Sequence, residues 1–391
     1  MFVQGGVDMV INRAYVFRIY PNEEQKIIIN KTFGCTRFIY NYYLNKKQEL
    51  YKQNKKMSTY ECIKDLRNIY NNYPFLKEVD SMSLRCALFD LDNAYQKFFK
   101  EKKEFPKYKS KHSKNSYRTN YITSNYKGKT YENIKLNLNN KTITLPKLKE
   151  IKIKGYRNLN KIEGQIINTT IYKEKNNKYY VSIVYKQEIL EKEIKPKNIV
   201  GIDLGIKDLV ITSDGKKYCN KKIIQKYEKR IKRKQRELSR KIKGSKNYYK
   251  TKQQLAILHS KVKNARKYII HKITKEIIES NEIIAIETLK IKNMIKNKKI
   301  SKALQDASLS EIMRQLIYKS KWKFKKLYQI ETYYPSSQIC SKCGYKNETI
   351  KNLNIRKYEC PNCYNELDRD YNAAENIMFE GLKIYIKETL I

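Results

Sequence analysis

The stretch NIVGIDLGI, residues 198–206, sets one aspartate, Asp203, inside a run of apolar residues that reads as a strand buried on both faces. An unpaired carboxylate in such a place costs on the order of several kcal/mol, so the acid survives there if it binds a cation. The following KDLVITSDGKKY, residues 207–218, reads as the next strand and turn of an antiparallel pair. EIIAIE, residues 282–287, repeats the pattern: a short apolar strand ends on Glu287 and emerges into the polar segment TLKIKNM. A third acid, Asp370 in ELDRDYNAA, stands at the start of the last helical pattern. Three carboxylates at a sheet edge can hold Mg2+ through hard oxygen ligands and leave positions for water and phosphate, as metal-ion phosphodiester hydrolysis requires. Ordinary readings compete with this one. Asp370 can be a simple helix N-cap, with Asp368 able to take its place, and a strand-end glutamate such as Glu287 can reach solvent. No cap or turn accounts for Asp203.

Between the second and third acids lie Cys340-Ser-Lys-Cys343 and Cys360-Pro-Asn-Cys363, separated by sixteen residues. That spacing lets two knuckles present four thiolates to one tetrahedral ion, and Gly344, Pro361 and Asn362 are the turn-formers such knuckles need. A redox pair or unrelated thiols would require two matched pairs to coincide. Four thiolates leave no open coordination position, so the ion expected is a structural zinc, and in so short a module a folding requirement. The other cysteines, Cys35, Cys62, Cys86 and Cys219, are scattered and read as buried thiols.

The chain has 391 residues, with 84 Lys and Arg against 39 Asp and Glu, a net charge of +45. Self-repulsion of that size favours a compact state only when a polyanion neutralises it, which points to nucleic acid. The 34 tyrosines suggest an A/T-rich gene, yet codon bias alone would not deplete the acids so far. Nothing approaches the roughly 20 apolar residues that span a bilayer, and the start MFVQGGVDMVINR lacks the apolar core of a signal peptide. A cytoplasmic, nucleoid-associated protein is expected.

Outward toward the amino terminus, residues 10–20 alternate like a half-buried strand ended by Pro21. Asn22 with Gln25 resembles a capping box, and helical spacing then continues with breaks to about residue 100. Residues 103–120, KEFPKYKSKHSKNSYRTN, are basic, aromatic-dotted and without apolar period, and read as a connector on phosphate. Short strands follow over residues 121–185, with a hairpin turning at Asn176 and Asn177. A charged linker over residues 186–197 then precedes a second domain. Within it, residues 221–280 form a basic helical pair, one stripe made by Ile224, Tyr227, Ile231, Leu238 and Ile242, with the turn at Gly244 and Ser245. A solvated hairpin and a nucleic-acid face are both compatible with that pair.

Taken in order, GIDLGIKDLVITSDG, IAIETLKIKNM, YPSSQICSKCGYKN with ECPNC, and DRDYNAAENI resemble the nuclease blocks of the TnpB (transposon OrfB) family, related to type V CRISPR effectors. YVFRIYPNEEQK, FGCTRFIYN, FPKYKSK, SYRTN and LPKL extend the resemblance over the amino-terminal half. It implies an α/β multi-domain protein: an RNase H-like RuvC nuclease domain over 196–391, with a basic helical insertion at 216–280 and a zinc ribbon at 333–366. It also implies a wedge β-barrel from 1–21 and 102–195, and a helical recognition domain at 22–101. Asp203, Glu287 and Asp370 become the catalytic, magnesium-binding acids, and Cys340, Cys343, Cys360 and Cys363 the zinc ligands. The implied activity is cleavage of double-stranded DNA beside a short adjacent motif, directed by a guide RNA from the transposon end, with one chain per RNA. A nuclease-inactive RNA-guided repressor, or a zinc-ribbon transposition accessory protein, would share the basic surfaces; the repressor would lose acids of the triad, which this chain keeps.

Overall fold

The computed structural model describes residues 8–126, 128–155, 162–190, 196–351 and 355–390. The first seven residues, and residues 191–195 of the expected charged linker, lie outside this set, while residues 186–190 of that linker are instead the end of a strand, paired from Lys186↔Asn12 to Leu190↔Asp8. The chain divides into two compact units, one running Asp8–Leu190 and the other Glu191–Ile391 with the amino-terminal residues. No helix among the described residues is long and apolar enough to cross a membrane.

In the Asp8–Leu190 unit, β1 (Asp8–Tyr20) leads into α1 (Glu23–Lys52), then α2 (Thr59–Asn72) and α3 (Ser81–Glu101). The strands β2 (Asn115–Asn120), β3 (Thr123–Tyr126), β4 (Lys129–Glu132), β5 (Lys135–Asn137), β6 (Thr142–Leu145), β7 (Lys149–Lys154), β8 (Gln165–Lys173) and β9 (Tyr179–Leu190) follow. Asn22 and Gln25 form the capping box at the start of α1, each accepting the other's backbone N–H. Seven strands make one antiparallel sheet in the order β2-β8-β9-β1-β7-β6-β5. Its inner residues, among them Phe17, Ile19, Ile143, Ile171, Val181 and Ile183, form a core that Ile29 and Phe33 of α1 cover. Helical residues such as Ile39, Tyr43, Leu66, Leu84 and Leu88 form a second core. The β8–β9 hairpin turns at Asn177, whose φ is +61°. One expectation needs correction: the segment 103–120 is a connector only in part, because its last six residues, NSYRTN, form β2 and pair with β8 from Asn115↔Lys173 to Asn120↔Asn168. Tyr117 and Thr119 alternate inward there, a half-buried pattern that the surrounding lysines mask in the sequence.

The second unit is built on β10 (Ile199–Asp203), β11 (Asp208–Thr212), β12 (Lys217–Cys219), β13 (Ile283–Ile286) and β14 (Lys326–Gln329), in the order β12-β11-β10-β13-β14. The first three strands are antiparallel neighbours, while β13 runs parallel to β10 and β14 parallel to β13. The helices are α4 (Ile223–Ser239), α5 (Lys246–Ser280), α6 (Ile291–Met294), α7 (Lys298–Ala307), α8 (Leu309–Trp322) and α9 (Arg369–Thr389), and β15 (Lys357–Glu359) pairs with β16 (Glu366–Asp368) in a small separate hairpin. The helical hairpin turns where expected, with Ser245 capping α5. Its stripe ends early: Ile231 is buried, but Ile242 lies beyond α4 and is 82% exposed. Cys219 is exposed rather than buried, because β12 is the edge strand of the sheet among the described residues.

Side chains alternate across a strand, and that alternation divides the central sheet. Val200, Ile202, Ile284 and Ile286 face one core, shared with Ile270, Ile273 and Ile277 of α5 and Ile312 and Leu316 of α8. Gly201 and Ala285, paired in register, face α9 on the other side. Both positions need to be small. A Cβ on Gly201 would run into the backbone of Ala374 and Met378, and one on Gly381 into Ala285. Gly201→Ala therefore meets backbone rather than a yielding side chain, and should destabilise the unit by about 3 kcal/mol or more, the upper end of overpacking costs. A urea unfolding midpoint measures it; an unchanged midpoint would contradict the close seat of α9 on β10.

Candidate active site and metal centre

The same alternation positions the acids. Asp203 follows Gly201 by two residues and Glu287 follows Ala285 by two, so both carboxylates belong to the face that α9 covers. The parallel register pairs Ile202 with Ile286 at the strand ends, and one residue further it sets Asp203 beside Glu287. The Leu204 backbone N–H donates to Glu287 Oε1 at 3.3 Å, which ties the end of β10 to the end of β13. Asp370 comes from the first turn of α9. The N-cap of that helix is Asp368, whose carboxylate accepts the N–H groups of Asp370 and Tyr371 at 3.0 and 3.2 Å. The capping role thus belongs to Asp368, and Asp370 has no part in it.

Burial drives the electrostatics of the cluster. It pushes the Asp203 carboxyl well above the ordinary aspartate range, and the charges of Glu287 and Asp370 push it further, with Arg369 opposing. Burial likewise raises Glu287 to about 7, against the Leu204 N–H and a hydrogen bond with Asp203, which lower it. Cations flank the third acid: Arg356 Nη1 lies 3.6 Å from Asp370 Oδ2, and Lys217 Nζ, on β12, lies 2.7 Å from Asp368 Oδ2. The charges of Glu287 and Asp370 both bear on the buried Asp203 carboxyl, and like charges gathered around one buried acid are what a cation site without its cation shows. Among the described residues only the four thiols stand as a metal-sized cluster.

Those thiols, of Cys340, Cys343, Cys360 and Cys363, lie within 4.8 Å of one another. Cys340 Sγ is 3.6 Å from Cys363 Sγ, and Cys343 Sγ is 3.5 Å from Cys360 Sγ. A tetrahedral ion with metal–sulfur bonds of about 2.3 Å needs edges of about 3.8 Å, so the set fits zinc. The two knuckles repeat one backbone pattern. Gly344 N–H donates to Cys340 O and Tyr364 N–H to Cys360 O, both at 2.9 Å, while Cys340 and Cys360 N–H reach Tyr345 O and Asn365 O. Gly344 makes the turn at φ +76°, as its sequence suggests, and Tyr364 makes the same turn at φ +55°, which no residue preference would have signalled. Asn362 Nδ2 donates to Cys343 Sγ at 3.6 Å and helps pull that thiol down to about 6. Buried Tyr358 fills the module, its hydroxyl donating toward Gln338 O and Tyr345 O at 3.2 and 3.3 Å.

Sequence reasoning did not single out Lys217, Arg356, or the two asparagines of DRDYNAAEN. The i, i+4 spacing of Asn372 and Asn376 was the available signal: it puts two amides on one face of a helix whose other face is Ala373, Ala374 and Ile377, and both are buried.

With this geometry in hand, comparison with known proteins gives a consistent result. Residues 182–298 match the OrfB_IS605 family, described as "Probable transposase". Residues 310–377 match the "Cas12f1-like, TNB domain" family. Residues 9–56 match a "Helix-turn-helix domain" family, although here β1 and the single long α1 occupy most of that span. A protein of Streptomyces pristinaespiralis named "Putative RNA-guided DNA endonuclease" is 32% identical over 377 residues, 95% of this chain and 90% of that protein. One of Escherichia coli K12, "Putative RNA-guided DNA endonuclease InsQ", is 28% identical over 94% of this chain and 92% of its own length. The "CRISPR-associated endodeoxyribonuclease Cas12f1" of Sulfoacidibacillus thermotolerans is 24% identical over 56% of this chain and 54% of that protein. Matched over nearly its whole length to the Streptomyces and Escherichia coli proteins, the chain belongs to the OrfB/TnpB family of transposon-encoded proteins, relatives of the type V CRISPR effectors.

Proposed function

We propose that this protein is an RNA-guided DNA endonuclease whose cutting centre is Asp203, Glu287 and Asp370. The observation that carries the reading is the gathering of three acids, distant in sequence, onto one end of a sheet under α9, where burial holds Asp203 and Glu287 toward their protonated forms and the charges of Glu287 and Asp370 add to the effect on Asp203. Carboxylate oxygens suit Mg2+, and a cluster so disfavoured without a cation fits one. Bound there, divalent ions supply Lewis-acid polarisation of a phosphodiester and an ionised water at neutral pH. The chain's own residues do the rest. Asp203 and Glu287 offer acceptor oxygens from adjacent strand ends, Asp370 adds a third from the helix, and no lysine or histidine base is needed. Arg356, exposed beside Asp370, puts a guanidinium where a phosphate oxygen would approach.

In this reading the Glu191–Ile391 unit is an RNase H-like RuvC domain starting near residue 196, with the helical pair of α4 and α5 and the zinc ribbon at 333–366 as its insertions; the helical insertion begins after β12, which belongs to the sheet, rather than at 216. The wedge β-barrel domain, 1–21 and 102–195, has the seven-stranded sheet as its core, and the helices of 22–101 form the recognition domain. One chain serves one RNA. Base pairing by the guide supplies sequence specificity, and basic surfaces grip phosphate. Lys229, Lys232, Arg233 and Arg236 of α4, with Arg240 and Lys241 just past its end, form one such surface.

Expression of the chain together with the DNA that flanks its gene tests the proposal. An RNA should copurify, and a duplex complementary to its variable end should be cut in Mg2+ while an unmatched duplex is spared. A retained RNA with no metal-dependent cutting of any matched duplex would instead mark an RNA-guided binding protein.

A further inference from the structure

The helix that carries Asp370 is fastened to the four-cysteine module by side chains one turn apart. Asn372 Nδ2 donates to Ile339 O at 2.7 Å, and its Oδ1 accepts the Ser341 N–H at 2.9 Å. Asn376 Nδ2 donates to Ile339 O at 2.6 Å and to Ser336 O at 2.8 Å. Between them, the Glu375 carboxylate accepts the Ser341 hydroxyl at 2.6 Å. These partners flank Cys340, the first thiol of the metal set. At the other knuckle, the Arg369 N–H reaches Arg356 O at 2.8 Å, just ahead of the strand that leads to Cys360.

Asn372 and Asn376 are 0% and 4% exposed. Two buried, hydrogen-bonded amides are an expensive way to pack a helix, since an apolar side chain would serve packing alone; what amides add is a fixed register. α9 thus has a sheet-facing side of Ala373, Ala374, Ile377 and Gly381 and a module-facing side of asparagines. The sheet side is close-packed but mostly apolar, with few directional bonds to set the register of the helix. The asparagine side supplies them. Asp203 and Glu287 are fixed by the parallel strand register, but Asp370 is placed only as well as α9 is seated.

We propose that Asn372 and Asn376 are positioning residues that hold Asp370 in register with Asp203 and Glu287, so that the four-cysteine module braces the acid centre. The inference rests on the reading of that centre as a divalent-cation site. Partners lying behind the ligands of a metal site are typically worth about 10- to 100-fold in affinity, which sets the scale of the test.

The full chain, with zinc in the thiol set, is titrated with Mn2+ and followed by electron paramagnetic resonance; zinc content and melting temperature are read in parallel. Asn372→Ala and Asn376→Ala should each weaken Mn2+ binding on the order of tenfold while keeping zinc and a cooperative fold that melts a few degrees lower, about the cost of the lost buried hydrogen bonds, and should add nothing to the Mn2+ effect in an Asp370→Asn background. That last readout separates positioning from general loosening, which would weaken binding in both backgrounds. Ser341→Ala, at the rim of the contact, should shift the Mn2+ constant roughly threefold in the same direction, and keeps the idea refutable if an asparagine variant does not fold. Unchanged Mn2+ affinity in the folded variants, equal weakening with Asp370 already neutralised, or loss of zinc alongside would overturn it. If the wild-type chain shows no Mn2+ site sensitive to Asp203→Asn, the reading of the acid centre fails and takes the brace with it. A sound wild-type site indifferent to the asparagines sinks the brace alone.

Discussion

Asp203→Asn should abolish guided DNA cutting, lowering the rate by well over about a hundredfold, while the protein still retains its RNA and binds matched DNA. The magnitude follows from scale: removing a partner behind a metal ligand already costs about 10- to 100-fold, and Asp203 is assigned as a ligand itself. The isosteric amide leaves shape, the hydrogen-bonded strand ends and the seat of α9 in place, so the loss is chemical. A gel assay of cleavage beside a filter-binding assay separates the two functions, and undiminished cutting would remove Asp203 from the centre.

The same substitution carries an unusual stability signature. With the Asp203 and Glu287 carboxyls raised in the folded chain, the native state holds protons that the unfolded chain has already released. Stability must then fall as pH rises from the ordinary carboxyl range, about 4, through Glu287 at about 7. Asp203→Asn removes one of the charges that have to be crowded together. In EDTA at pH 8 the variant should melt higher than the wild type by about 2–4 °C, the shift expected from roughly 1 kcal/mol in a unit of this size. The gap should close toward pH 4 and shrink when Mg2+ is added. A variant that melts lower than wild type at pH 8 without divalent ions would mean that the aspartate is stabilised by something other than a cation.

What made Asp203 legible was conflict: a charge inside VGIDLGI has no local explanation, so a partner had to be supplied from elsewhere. Glu287 could be read for the same reason at the end of IIAI, and the cysteines because their spacing is itself the geometry. Asp370 was less legible. Asp368 and Asp370 both suit a helix start, and only the observed hydrogen bonds give the cap to Asp368 and free the other. Lys217 and Arg356 left no trace at all, since a flanking cation cannot be told from its neighbours in a chain with 84 Lys and Arg. Composition hid β2 as well, where Lys109, Lys111 and Lys114 lead into a strand whose inward residues are just Tyr117 and Thr119. Gly201 and Gly381, in contrast, stand in plain view, but their meaning is a helix crossing a sheet at close range, which is a tertiary fact.

Cys360→Ser should empty the thiol centre and undo the module around it. Wild-type chain, purified without chelator, should carry about one equivalent of zinc; the variant should carry almost none, because Cys360 is buried and a hydroxyl in its place neither ionises nor satisfies a soft site. The loss is large because of how little else the module has. Its buried apolar set among the described residues is Ile350, Tyr358 and the thiols of Cys340 and Cys360, and β15 with β16 is a two-stranded hairpin, marginal in water by itself. Removing a contribution on the order of 10 kcal/mol from a protein whose whole stability is about 5–15 kcal/mol cannot be absorbed locally. Limited proteolysis should therefore open first within residues 333–366, at protease concentrations that leave the wild type intact. Cys219→Ser is the control, because that exposed thiol lies outside the set and its loss should change neither zinc content nor the proteolytic pattern. A Cys360→Ser chain that keeps its zinc and resists protease as the wild type does would show that the four thiols are not a structural metal centre.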